Sequence, residues 1–140
     1  MTSIQTRDSL GIALDIVGDR WTLLIVRDLL RGRTRFNQLR VSVVGIASNI
    51  LTDRLRSLET NEIITRRPYG KSSSRDAYVL TKKGHHLGPV IGALILWGEH
   101  YGDASLGLID STCGHNVELL YRCSHCDRDT PRSRLRIVEE

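Results

Sequence analysis

No apolar run in these 140 residues approaches the ~18 that would suggest a membrane-spanning helix. Met1 to Leu10 lacks the charged and apolar regions of an export signal, so the expected location is the cytoplasm. Cysteine is scarce, with three in the chain and none before Cys113. In a chain without export features, that number argues against a disulfide framework and towards metal binding, redox chemistry or packing. Glycines are scattered singly, and neither a Walker loop nor a dinucleotide loop is present. His85 and His86 stand together, but no serine, cysteine or acid is spaced to form a recognisable nucleophilic site with them. They are expected on the surface near a helix start, and an enzyme reading has no residues to carry it. No internal repeat or low-complexity tract is found.

What is present suits one ordinary domain with a small appendage. The composition, 40% hydrophobic and 26% charged, is that of a chain able to bury a core. The formal charge of +4 is unevenly placed. From Arg31 to Arg75 there are ten basic residues (Arg31, Arg33, Arg35, Arg40, Arg54, Arg56, Arg66, Arg67, Lys71 and Arg75) against three acids, Asp53, Glu59 and Glu62. A segment of +7 in a molecule otherwise net negative points to a polyanion, because neutralising phosphates releases their counterions.

Hydrophobic spacing gives the order of elements. Leu10, Ala13, Leu14 and Val17 predict a helix over Ser9 to Val17, with Gly18 as its stop and Asp19 as the next N-cap. Arg20 to Arg31 is apolar on more than one face and should be a central, buried helix. Thr34 is placed to cap a short helix carrying Phe36 and Leu39. Gly45 then allows a tight turn before a fourth helix from about Ala47 to Asn61, packed through Leu51, Leu55 and Leu58. The period then changes. Glu62 to Arg67 and Ala77 to Leu80 have strand character, and Pro68, Tyr69, Gly70, Lys71 and three serines make a basic hairpin tip between them. Leu87, Val90, Ile91, Leu94 and Ile95 form a last helical stripe, with a kink or restart expected near Pro89. Leu96 and Trp97 extend it beyond what one buried face needs, which hints at a partner.

Three helices followed by a basic-tipped hairpin is the winged-helix order, in which one helix enters the major groove and the hairpin reaches the backbone or minor groove. The expected class is α+β, mainly α: a winged helix-turn-helix over 8–103 with a small C-terminal Cys/His hairpin over 104–140. At 100° per residue, Leu51, Leu55 and Leu58 leave Asn49, Thr52, Asp53 and Arg56 pointing broadly away, with Ser48 at the helix start. Asn suits adenine and Arg suits guanine. Arg66, Arg67, Lys71 and Arg75 of the hairpin are the expected backbone contacts. The rival class is an interaction module, or a thiol- or metal-responsive switch, that does not primarily bind DNA.

The chain also resembles the HxlR-type regulators, relatives of the MarR-like proteins, over about Leu10 to Gly102. The resemblance rests on the run from Ala13 to Leu29 around Gly18-Asp-Arg-Trp-Thr, on Arg35-Phe-Asn-Gln-Leu, Gly45-Ile and Leu51-Thr-Asp-Arg-Leu-Arg-Ser-Leu-Glu, and on Tyr78-Val-Leu-Thr-Lys-Lys-Gly. It implies a dimeric double-stranded-DNA-binding regulator, by default a repressor, with its first and last long helices at the dimer contact. Two positions depart from the family pattern. Asp8 stands where many relatives carry a sensing cysteine, and Ala47 stands where a serine usually opens the recognition helix. Without that thiol, a small-molecule effector at the dimer interface or a change at the tail are the remaining routes for a signal.

In the tail, Cys113-Gly-His115 and Cys123-Ser-His-Cys126 flank Val117, Leu119 and Tyr121, which alternate as a strand would. The expected arrangement is a hairpin joining two metal-binding turns, with Leu135, Ile137 and Val138 adding a strand. Three thiolates and an imidazole make a tetrahedral, structural zinc set, Cys113, His115, Cys123 and Cys126. Asp110, where the resemblance places a histidine, and His125 are alternative fourth ligands, and the Cys-x-x-Cys pair could instead be a redox switch.

Overall fold

A computed structural model describes residues 8–68, 70, 76–102 and 106–138. The chain forms two compact units that divide within one helix, the first ending at Ile91 and the second beginning at Gly92. The expected boundary between 103 and 104 lies outside the described residues.

In the first unit, α1 (Ser9–Val17) opens on Asp8, whose carboxylate accepts from the Gly11 N–H at 2.7 Å. The side chain at the position where the resemblance implies a thiol is therefore a helix cap. Asp19 accepts from the Trp21 and Thr22 N–H groups at 2.8 and 3.0 Å and bonds the Thr22 hydroxyl, but the N-cap position of the next helix falls on Trp21 rather than on Asp19 as expected. That helix is shorter than expected: α2 (Thr22–Leu30) buries Thr22, Ile25, Val26, Asp28 and Leu29, while Leu30 is exposed. The cap expected from Thr34 comes from elsewhere. For α3 (Phe36–Ser42), the Gln38 carbonyl oxygen accepts from the Thr34 and Arg35 N–H groups, both at 3.1 Å. A long amide can reach back to free helix-terminal donors, which relieves Thr34 of that role.

Gly45 takes φ +83°, where an L side chain would strain, and the chain turns into α4 (Ser48–Thr60). Ala47, at the N-cap, offers no capping bond. The core holds Leu51, Leu55 and Leu58 of α4 together with Ile25, Val26, Leu39, Val43, Ile63 and Ile64, all nearly or fully buried. Next, β1 (Ile64–Pro68) and β2 (Asp76–Leu80) pair antiparallel, with Thr65 opposite Val79, Arg66 opposite Tyr78 and Arg67 opposite Ala77. The Tyr78 N–H donates to the Thr34 carbonyl at 2.8 Å, so the hairpin is also tied to the turn before α3.

A short α5 (Lys82–His85), capped by Thr81, exposes His85 and His86 as expected. The chain restarts as α6 (Leu87–Tyr101) with Pro89 in its first turn, where a missing N–H costs nothing. In the second unit, β3 (Tyr121–Cys123) pairs with β4 (Arg128–Thr130). The expected hairpin between the two Cys/His turns is thus replaced by a two-stranded one over the second turn and an isolated antiparallel bridge, Ile109 to Asn116, around the first, and residues 117–120 are not strand. Leu135, Ile137 and Val138 add no strand either. They follow a short 3-10 turn at Arg132–Arg134 and stay exposed, because no sheet edge with a buried face is offered to them.

Candidate nucleic-acid interface

The outer side of α4 is polar by the same periodicity that makes its inner side apolar. Asn49, Asp53 and Arg56 lie at steps of four and three residues, and all three are exposed. Ser48 and Thr52 are half-buried. The Thr52 hydroxyl donates to the Ser48 carbonyl at 2.9 Å, so its oxygen is left with acceptor capacity only. Arg56 makes no ion pair with any described residue and remains available to a base edge or phosphate.

Two ion pairs missed by the sequence reading hold this helix. Arg54 Nη1 lies 3.5 Å from Asp19 Oδ2, linking α4 to the N-terminus of α2. At the other end, Arg66 Nε donates to Glu59 Oε2 at 3.1 Å, linking the hairpin to α4. That bond, with the adjacent Glu59 charge, raises the Arg66 guanidinium further above its usual value. Arg66 and Arg67 point to opposite faces of β1, and Arg67 has no ionic partner among the described residues. Lys71 and Arg75, at the hairpin tip, lie outside the described residues.

Below α4, Asp28 is fully buried. Its carboxylate accepts from Arg27 Nε at 2.9 Å and from the Ser42 hydroxyl at 2.7 Å, and Arg31 Nη1 lies 3.6 Å away. Burial pushes its pKa up, but the Arg27 and Ser42 bonds outweigh burial and hold it below the ordinary value. Asp19 is likewise held low, the Thr22, Trp21 and Arg54 contacts overcoming its burial. The Ser42 bond carries the α2 scaffold across to α3 just before the turn into α4. Near that turn, Val41 in the last turn of α3 and Val44 beyond it are 81% and 85% exposed. Their exposure could not be read from spacing, since valines flanking a turn look like core.

The tail gathers no comparable site. Cys113, His115 and Cys126 are exposed and Cys123 is half-buried. Among the described residues no three His, Cys, Asp or Glu side chains stand close enough together to hold a metal ion.

A helix with a polar outer face, seated on a three-helix core and flanked by a hairpin carrying cations, defines a winged helix-turn-helix protein. The chain belongs to the HxlR-like helix-turn-helix family, which matches residues 16–106. It is a DNA-binding transcriptional regulator, as its relatives are. An HTH-type transcriptional regulator of Mycobacterium tuberculosis (strain ATCC 25618 / H37Rv) is 37% identical over 126 residues, covering 87% of this chain and 79% of that one. The crystal structure of PA1607, a proposed transcription factor, superposes with a TM-score of 0.82 at 33% identity over 97% of both chains. The redox regulator HypR in its reduced form is similar at TM-score 0.62 and 30% identity, over 66% of this chain and 92% of its own. No described helix is long and apolar enough to cross a membrane.

Proposed function

We propose that the protein is a cytoplasmic homodimeric repressor that reads a pseudo-palindromic operator, each protomer placing residues 47–60 in a major groove. The observation that carries this is the outward row Asn49, Asp53 and Arg56 on α4, followed by the exposed wing cation Arg67 on β1, with no described ionic partner for Arg56 or Arg67. Planar Asn and Arg side chains match adenine and guanine edges. The exposed Val44 in the turn that precedes α4 suits a thymine methyl. Arg67, Lys71 and Arg75 supply backbone contacts that position without specifying.

Dimerisation is supported by apolar surface that the protomer leaves uncovered: Leu10, Ile12 and Leu14 on α1, and Val90, Leu94, Trp97 and Tyr101 on α6. Repression needs only occupancy, because a dimer across a promoter excludes the polymerase. With half-site centres ~34–36 Å apart, two-fold symmetry in the protein demands symmetry in the DNA. Selection of DNA fragments by the purified protein, followed by sequencing, tests the proposal. An inverted repeat with that spacing supports it, and recovery of no enriched sequence overturns it.

A further inference from the structure

Residues 106–138 contain no buried side chain, and Ile109, Leu119, Leu120 and Tyr121 all stand exposed. A segment with no core of its own needs another cross-link to hold one shape. Two of its turns have the same construction. In the first, Asp110-Ser-Thr-Cys113-Gly114, the Gly114 N–H donates to the Asp110 carbonyl at 2.7 Å and Gly114 takes φ +73°. In the second, Cys123-Ser-His-Cys126-Asp127, the Asp127 N–H donates to the Cys123 carbonyl at 2.9 Å and Asp127 takes φ +50°.

Each turn closes an antiparallel pairing at the same offset. The Asp110 N–H donates to the His115 carbonyl at 2.9 Å, and Cys123 stands opposite Arg128. Position by position, Asp110 therefore corresponds to Cys123 and Cys113 to Cys126, whereas His115 corresponds to Arg128 on the returning strand. The Thr112 N–H also donates to Asp110 Oδ1 at 2.7 Å and holds that carboxylate against its own turn.

We propose that Asp110, Cys113, Cys123 and Cys126 are the four ligands of one zinc ion, each turn contributing its first and fourth residues. Three thiolates and a carboxylate are a tetrahedral donor set with no open position, so the role is structural. The two turns are not closed on one another in the present structure. Ion binding and closure are then a single event that supplies the order a missing core cannot. His115 is set aside as a ligand because the equivalence places it outside the donor positions of its turn.

The test uses the full-length protein purified without chelator. One zinc per chain is expected, lost in Cys113→Ser and Cys123→Ser and retained in His115→Ala and His125→Ala. Removing the Asp110 ligand by Asp110→Ala should weaken retention against a chelator by at least the about 10- to 100-fold that loss of an outer-shell partner costs. Cobalt loaded into the unsubstituted protein probes the ligands without risk of misfolding, and a tetrahedral spectrum with thiolate charge-transfer bands is expected. About a tenth of an equivalent of metal or less with all three thiols freely reactive overturns the proposal, as does an octahedral cobalt spectrum. A Cys123–Cys126 disulfide in the purified protein also overturns it, and loss of zinc in His115→Ala with retention in Asp110→Ala overturns the ligand assignment. DNA binding by the helical unit is a separate measurement, so neither result decides the other.

Discussion

Arg56, Arg66 and Arg67 are chemically identical and differ only in what already holds them. Arg56 is unpaired among the described residues and sits on the exposed row of α4, so in the proposed reading Arg56→Ala should cost ~1–3 kcal/mol on the operator and relax preference at one base pair. Arg67→Ala should weaken operator and scrambled duplexes alike and reduce the salt slope by about 0.9. Arg66 is engaged with Glu59, so Glu59→Gln and Arg66→Gln should give similar, smaller losses by loosening the wing, and the double variant should add little to either. Titrations on both duplexes at several salt concentrations check all three outcomes. Equal losses on both duplexes for Arg56→Ala would remove it from the base readers. Composition alone counts three equal cations here; the partner that sets Arg66 apart, Glu59, lies seven residues away and became visible only when the hairpin was folded back on α4.

The elements carry two stability predictions. Asp28 joins α2 to α3 through Ser42, and removing one partner of a buried, bonded charge is costly. Asp28→Asn should therefore destabilise by ~3 kcal/mol, read by urea unfolding at neutral pH. The pH dependence follows from the lowered folded-state pKa values of Asp28 and Asp19. Their contribution is complete above the unfolded value of about 3.9 and is lost as pH falls through the lower folded value. Stability of the unsubstituted protein should thus fall below about pH 4, and more shallowly in Asp28→Asn, where one of the two groups no longer titrates. The second prediction concerns the seat of α5. A Cβ at Gly84 would lie 2.3 Å from the Ile63 carbonyl oxygen and 2.9 Å from the Leu80 side chain, so Gly84→Ala should cost ~1–3 kcal/mol in the same assay. Periodicity located α1, α4 and the hairpin within a residue or two. It missed which residue caps α3, because Gln38 reaches back from inside the helix, and the contact that forbids a side chain at residue 84.

For the molecule as a whole, assembly is the property to measure. Trp97 is 66% exposed on α6 and Leu14 is exposed on α1. Sedimentation equilibrium at micromolar concentration should show a dimer. Trp97→Glu and Leu14→Glu should each shift it towards monomer and lower operator affinity together, since a half-site holds one protomer with half the contacts. A monomeric unsubstituted protein would contradict the dimeric reading. The surplus apolar residues at Leu96 and Trp97 already suggested a partner in the sequence. Only the structure showed that Leu10, Ile12 and Leu14 are uncovered as well, because a helix's spacing says which residues share a face but not whether a neighbour covers it.

The sequence by itself determined the order of helices and strands, the winged-helix class, the family and the outward row of α4. Each follows from local periodicity, turn chemistry and ordered short blocks that need no knowledge of distant contacts. Tertiary structure decided which cations are free and that Asp28 is a buried tie between helices. It also decided that the tail's two turns match through Asp110 rather than His115. Those facts depend on pairings across sequence separation, Glu59 with Arg66, Asp28 with Ser42 and one turn with its equivalent, and no spacing rule along a single strand of chain encodes them.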